Sequence, residues 1–187
     1  MELSKSYTGK KSKTYQMAGI GIMAALISVL GPLSLPIGPV PISLTNLAIF
    51  VSLYAVGMKN GTISLLIYLL LGFFGLPIFS GYSGGPAKIL GPTGGYLIGF
   101  IFMALIAGYF IDKFIDRWYL CVIGMILASA ILYAFGTAWL AYQANLSAKA
   151  ALSAGVIPFI PGDLLKIFAA AFIGPKIRSR LIKANLY

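Results

Sequence analysis

Asp163 and Lys166 form an ionisable pair inside an otherwise apolar run, Gly155-Val-Ile-Pro-Phe-Ile-Pro-Gly-Asp163-Leu-Leu-Lys166-Ile-Phe. At spacing i, i+3 the two side chains share one helix face. An ionised group at the centre of a membrane helix costs about 2.5 to 3.5 kcal/mol on insertion scales, so residues kept there usually mark a site. A carboxylate accepts from N–H groups of a polar ring, and an ammonium donates to a carbonyl oxygen or a carboxylate. The ligand implied is a small amphiphile that carries both functions. In the competing structural reading, Asp163 caps a helix after Pro161-Gly162 and Lys166 snorkels from a span end.

Other polar residues gather around the same chemistry. Ser43, Thr45 and Asn46 open the second apolar run. An amide in an apolar span needs partners, which makes Asn46 the ligand candidate of the three, with the Ser43 hydroxyl beside it. Thr45 can instead back-bond to its own helix. The glycine-rich stretch Ser80 to Gly95 (SGYSGGPAKILGPTGG) contributes Tyr82, Ser83, Gly85 and Gly94 as ligand contacts, its glycines leaving backbone N–H groups open. It is no P-loop, because Gly85-Pro86-Ala87-Lys88 lacks the G-K-[ST] ending and no strand precedes it. Tyr142, beside Gln143 at the outer end of the fifth run, either lines the pocket or belongs to an aromatic belt, as Tyr96 and the other tyrosines do. Gly95 and Gly99 suit close helix packing. Gly21 and Ala25 in the first run make a small-xxx-small pair, which serves internal packing or docking to a separate membrane subunit.

The elements that must position these groups follow from composition. Of 187 residues, 59% are hydrophobic and 10% are charged, and the mean hydropathy is +0.94. A soluble domain carries about 25% charged residues. Lipid must therefore be the solvent for most of this surface, and the expected class is an all-α membrane protein in one integral domain, residues 1–187. Spans are expected at about 16–31, 42–58, 61–78, 96–112, 118–141 and 157–176, preceded by a basic tail over 1–15. The first of them follows a basic stretch as a signal peptide does, but Gly31-Pro32-Leu33-Ser34 is no A-x-A cleavage site.

Charge placement gives orientation. Eleven Lys and Arg fall in the two tails and the second and fourth connections, against Lys88 and Lys149 in the opposite connections. Both termini are expected in the cytoplasm, with an even number of spans in the cytoplasmic membrane. The net charge of +10 is thus flank charge and points to no nucleic-acid partner. The outer connections, Gly31 to Pro41 with four prolines and Ser80 to Gly95, are too apolar to gain much from water. They are expected to fold inward as a pocket wall or lid. With no His, one Cys and four acidic residues, zinc sites, nucleophilic triads and carboxylate dyads are improbable, so no enzyme, metal or cofactor is expected. No inverted repeat can be aligned, which weighs against a self-sufficient secondary transporter.

The chain resembles the BioY family, the biotin-specific S components of energy-coupling factor transporters. The resemblance is carried by Gly38-Pro-Val-Pro-Ile-Ser-Leu44, Tyr68-Leu-Leu-Leu-Gly-Phe-Phe-Gly-Leu-Pro-Ile-Phe79, Gly91-Pro-Thr-Gly-Gly-Tyr-Leu-Ile-Gly-Phe100 and Pro158-Phe-Ile-Pro-Gly-Asp-Leu-Leu-Lys166. It implies a six-helix protein that captures biotin outside and joins a transmembrane coupling subunit and two ATPases, where ATP is hydrolysed. Asp163 would accept from the ureido N–H groups, Lys166 would serve the ureido oxygen or the carboxylate, and Gly21 with Ala25 would dock the coupling subunit. The chain departs from the family pattern P-x-T-x-Q, having Pro41-Ile-Ser43-Leu-Thr45-Asn46 in its place. Ser keeps the hydroxyl, Thr45 stands at the Gln position, and Asn46 offers its amide one residue later, about 100° around a helix.

Overall fold

A computed structural model describes residues 13–36 and 40–184. Most of the basic tail, residues 37–39 of the first outer connection and the last three residues lie outside the described set. The chain is mostly helical. In order it forms α1 (Lys13–Leu30), β1 (Ser34–Leu35), β2 (Ile42–Ser43), α2 (Thr45–Phe73), α3 (Pro86–Leu90), α4 (Gly94–Lys113), α5 (Trp118–Gln143), α6 (Ala148–Gly155) and α7 (Ile160–Lys183). Among the described residues, four helices are long and apolar enough to cross a membrane, or five if α6 and α7, bent by 45° at their junction, count as one span.

α2 is one stretch of the chain but not one straight rod. Gly57 adopts φ 81 and ψ 171, a conformation open essentially to glycine alone. A Cβ placed on Gly61 would lie 3.3 Å from the Leu53 Cα, although a straight helix would separate those residues by about 12 Å. Thr45 and Tyr68 likewise line one cavity, where a straight helix would hold them about 35 Å apart. The chain therefore turns back at Gly57, and α2 is a helical hairpin whose arms correspond to the second and third apolar runs.

Small residues set how closely the other helices approach. A side chain on Gly95 would collide with Trp139, and one on Gly99 would come within 2.9 Å of Leu132, so α4 lies tightly on α5. Gly174 gives Tyr54 the same access to α7. The outer connections do turn inward: Val40 and Phe79 are buried, and Phe79 packs edge-on against Tyr68 with ring centroids 5.4 Å apart. Two parts of those connections hold more regular structure than the sequence indicates. β1 and β2 pair antiparallel, Ser34 opposite Ser43. The stretch after Gln143 forms α6, because Ser147 accepts a hydrogen bond from the Ala150 N–H at 3.3 Å and good helix formers follow it.

One polar clip closes the end of the bundle where α2 reverses. Asp112 at the end of α4 accepts from the Met58 N–H at 2.8 Å and from Arg178 of α7 at 2.9 Å. The N–H freed by the Gly57 turn thereby finds an acceptor.

Candidate functional site

Asp163 lies in the first turn of α7, where Pro161 needs no donor and the helix dipole favours an anion. It does not cap the helix, for Phe159 occupies the N-cap and no side chain bonds there. Its carboxylate is 4% exposed and is held by three partners. Oδ2 accepts from Asn46 Nδ2 at 3.0 Å and from the Tyr133 hydroxyl at 2.6 Å, while Oδ1 faces Lys166 Nζ at 2.8 Å. Lys166 does not snorkel either. It is 9% exposed, and its ammonium also donates to the Ser43 carbonyl at 2.7 Å. Four elements thus converge: α7 brings the ion pair, the start of α2 brings Asn46, β2 brings Ser43, and the middle of α5 brings Tyr133.

These groups occupy one side of a cavity of about 50 Å³. Val40, Leu97, Phe100, Leu132 and Phe159 supply apolar walls, and Pro41 and Ser80 reach it from the two outer connections. Tyr96 lines it with its ring, its hydroxyl donating to the Gly155 carbonyl at 2.8 Å with Thr137 Oγ1 at 3.3 Å. Tyr68 also faces the cavity, and its buried hydroxyl has no hydrogen-bond partner among the described residues. Ligand pockets usually measure about 300 to 1,000 Å³, so this cavity is small for an organic ligand and must widen to take one. Ser43 and Lys166 form a wall shared with an apolar groove of about 590 Å³, lined by Leu33, Leu35, Ile42, Leu47 and Leu165 among others.

Of the residues named from sequence, Asp163, Lys166, Asn46 and Ser43 meet in the cavity. Five others stand outside its lining. Tyr82 and Tyr142 are 66% and 79% exposed. The Ser83 hydroxyl is turned to the Ser80 carbonyl at 2.8 Å. Gly85 precedes α3 with φ 87, a turn position rather than a wall. Gly94 packs against the Ile89 carbonyl and against Trp139 of α5. Gly21 and Ala25 are exposed on α1, and a Cβ on Gly21 would meet nothing within 4 Å. The face of α1 turned to the bundle is instead that of Ala24 and Ile27. Sequence reasoning passed over Tyr133 and Tyr68, since neither differs in local context from the other tyrosines.

The site is thus a buried, balanced ion pair with two further hydrogen-bonding side chains in an apolar cavity. The BioY family model matches residues 5–183. The chain belongs to the BioY family. The biotin transporter BioY of Thermotoga maritima is 38% identical over 87% of this chain and 95% of its own length. The biotin transporter BioY2 of Lactococcus lactis subsp. cremoris is 31% identical over 95% of this chain and 98% of its own. Among solved structures, the S-component for biotin from an ECF-type ABC transporter superimposes with a TM-score of 0.84 at 33% identity, covering 92% of this chain and 95% of that one. The BioY relationship thus spans nearly the whole fold, including every element that reaches the cavity.

Proposed function

We propose that this chain captures biotin and takes part in its uptake as the substrate-binding S component of an energy-coupling factor transporter. The observation that carries the reading is the Asp163–Lys166 pair, whose charged atoms lie 2.8 Å apart inside an apolar cavity. Groups so close serve neighbouring atoms of one ligand group, and a cyclic urea presents an N–H donor directly beside a carbonyl acceptor. Asp163 accepts from a ureido N–H, and Lys166 serves the ureido oxygen rather than the distant carboxylate. The apolar walls receive the rest of the bicycle, and the hairpin and outer loop part to admit it.

The membrane arrangement follows the same reading. Counting the arms of α2 separately and α6 with α7, the chain crosses the cytoplasmic membrane six times. Both termini then lie in the cytoplasm, as eleven basic residues against two favour. The exposed Gly21–Ala25 face of α1 docks the transmembrane coupling subunit, and two ATPase subunits hydrolyse ATP elsewhere, so the chain is a transport component with no cofactor of its own. Equilibrium binding of labelled biotin to the purified chain in detergent tests the core of the proposal. Saturable binding displaced by unlabelled biotin is expected, and a folded sample that binds none would sink it.

A further inference from the structure

The two outer connections are fastened in different ways. α3, in the second, is little more than one turn and too short to hold itself, and the last carbonyls of a helix lack partners within it. Two side chains of α5, four residues apart and so on one face, supply them. Trp139 Nε1 donates to the Gly91 carbonyl at 2.9 Å, and Gln143 Nε2 donates to the Leu90 carbonyl. The Gly91 oxygen also accepts from the Gly94 N–H at 3.0 Å, which occupies both of its lone pairs. Gly94 and Gly95 leave the notch in which Trp139 lies. At its other end α3 is tied to α2, where the Gly85 N–H donates to the Gly72 carbonyl at 2.7 Å.

This fastening positions a wall of the cavity. Thr93, two residues beyond Gly91, is buried and lines it, and Tyr96 follows in the first turn of α4. Trp139 and Gln143 themselves stand outside the lining. The first outer connection is held from inside the cavity instead, by the Lys166 ammonium on the Ser43 carbonyl at 2.7 Å. A ligand that engages Lys166 competes for that tie and leaves those of Trp139 and Gln143 untouched.

We propose that Trp139 and Gln143 are positioning residues: by fastening the Gly91 and Leu90 carbonyls to α5 they keep Thr93 and Tyr96 as a fixed wall, against which the rest of the site closes on its ligand. The inference rests on the function proposed above for the identity of that ligand.

Amide hydrogen exchange across residues 87–92 and the dissociation rate of labelled biotin, both on the purified chain in detergent, test it. Trp139→Phe keeps a ring in the glycine notch and removes the donor. Local exchange and biotin dissociation should each quicken about 5-fold, the weight of one hydrogen bond, while exchange in β1 and β2 stays as in the parent. Adding Gln143→Leu should take both beyond ~10-fold, whereas Gln143→Lys alone, which keeps a donor, should match the parent. Unchanged local exchange, unchanged dissociation, or exchange quickened equally in β1 and β2, as a merely structural contact would give, overturns the assignment. A parent chain that binds no biotin would sink the function beneath it, and the exchange measurement, which needs no ligand, then decides the fastening by itself.

Discussion

The Asn46 amide donates to Asp163 across 3.0 Å although 117 residues of chain separate them. The contact ties the start of α2 to the start of α7, so the cavity is assembled by tertiary packing and not by any one loop. What each element contributes can be separated by substitution.

The ion pair itself comes first. Asp163→Asn leaves the Lys166 ammonium buried without its counter-charge, which should cost about 3 to 5 kcal/mol of stability and abolish biotin binding. Pairing it with Lys166→Met removes both charges, so thermal unfolding in detergent should recover most of the loss while binding stays absent. A double variant as unstable as the single one would show that the pair is not the coupled unit described.

Gly136 tests the α4–α5 contact. A Cβ there would land on the Tyr96 ring, which lines the cavity. Gly136→Ala should cost about 1 to 3 kcal/mol through overpacking, and biotin affinity should fall with it as the ring is displaced. Unfolding and binding isotherms on the same preparation report both effects.

The reversal at Gly57 depends on a conformation that side chains resist. Gly57→Ala should lower stability by about 1 to 3 kcal/mol, the usual cost of a residue held in a sparsely populated backbone region. Thermal unfolding unchanged from the parent would mean that the turn relaxes without cost.

Asp112 lies at the other end of the bundle from the cavity. Asp112→Ala removes an acceptor used by the Met58 N–H and by Arg178. Because the Asp112 side chain is 36% exposed, solvent already screens the pair, and a loss of about 1 kcal/mol is expected. Biotin affinity in detergent should stay within ~2-fold of the parent, since additivity holds for distant sites.

On α1, Gly21→Leu with Ala25→Leu adds bulk to an exposed face without touching the core. Biotin binding by the isolated chain should be unchanged, while co-purification with the coupling subunit should be lost. Retained co-purification would place the docking face elsewhere.

Asp163 and Lys166 were readable from sequence because burying charge in an apolar run is expensive and therefore conspicuous. Asn46 was readable for the same reason in weaker form. Tyr133 was not, because a tyrosine belongs as readily in an apolar helix, at an interface or in a core, and only the fold brings its hydroxyl to Asp163. The glycines at 85 and 94 stand outside the cavity lining: Gly85 holds a backbone turn and Gly94 leaves room for Ile89 and Trp139, and sequence cannot tell room for a neighbour from room for a ligand. The hairpin in α2 was legible in the punctuation Gly57-Met-Lys-Asn-Gly61, whereas α6 was hidden in what read as a loop, its cap being a single serine.

Among the described residues lining the cavity, Asp163 and Lys166 are the pair of opposite charge, and their charges cancel. A transmembrane voltage exerts about 2.3 kcal/mol per elementary charge per 100 mV, but it acts on net charge moved along the field. If α7 shifts or tilts as the chain works, the pair travels as a dipole of zero net charge. The resting potential of the cell then does no net work on the pair, and acts on α7 only through the basic residues at its other end, Lys176, Arg178, Arg180 and Lys183.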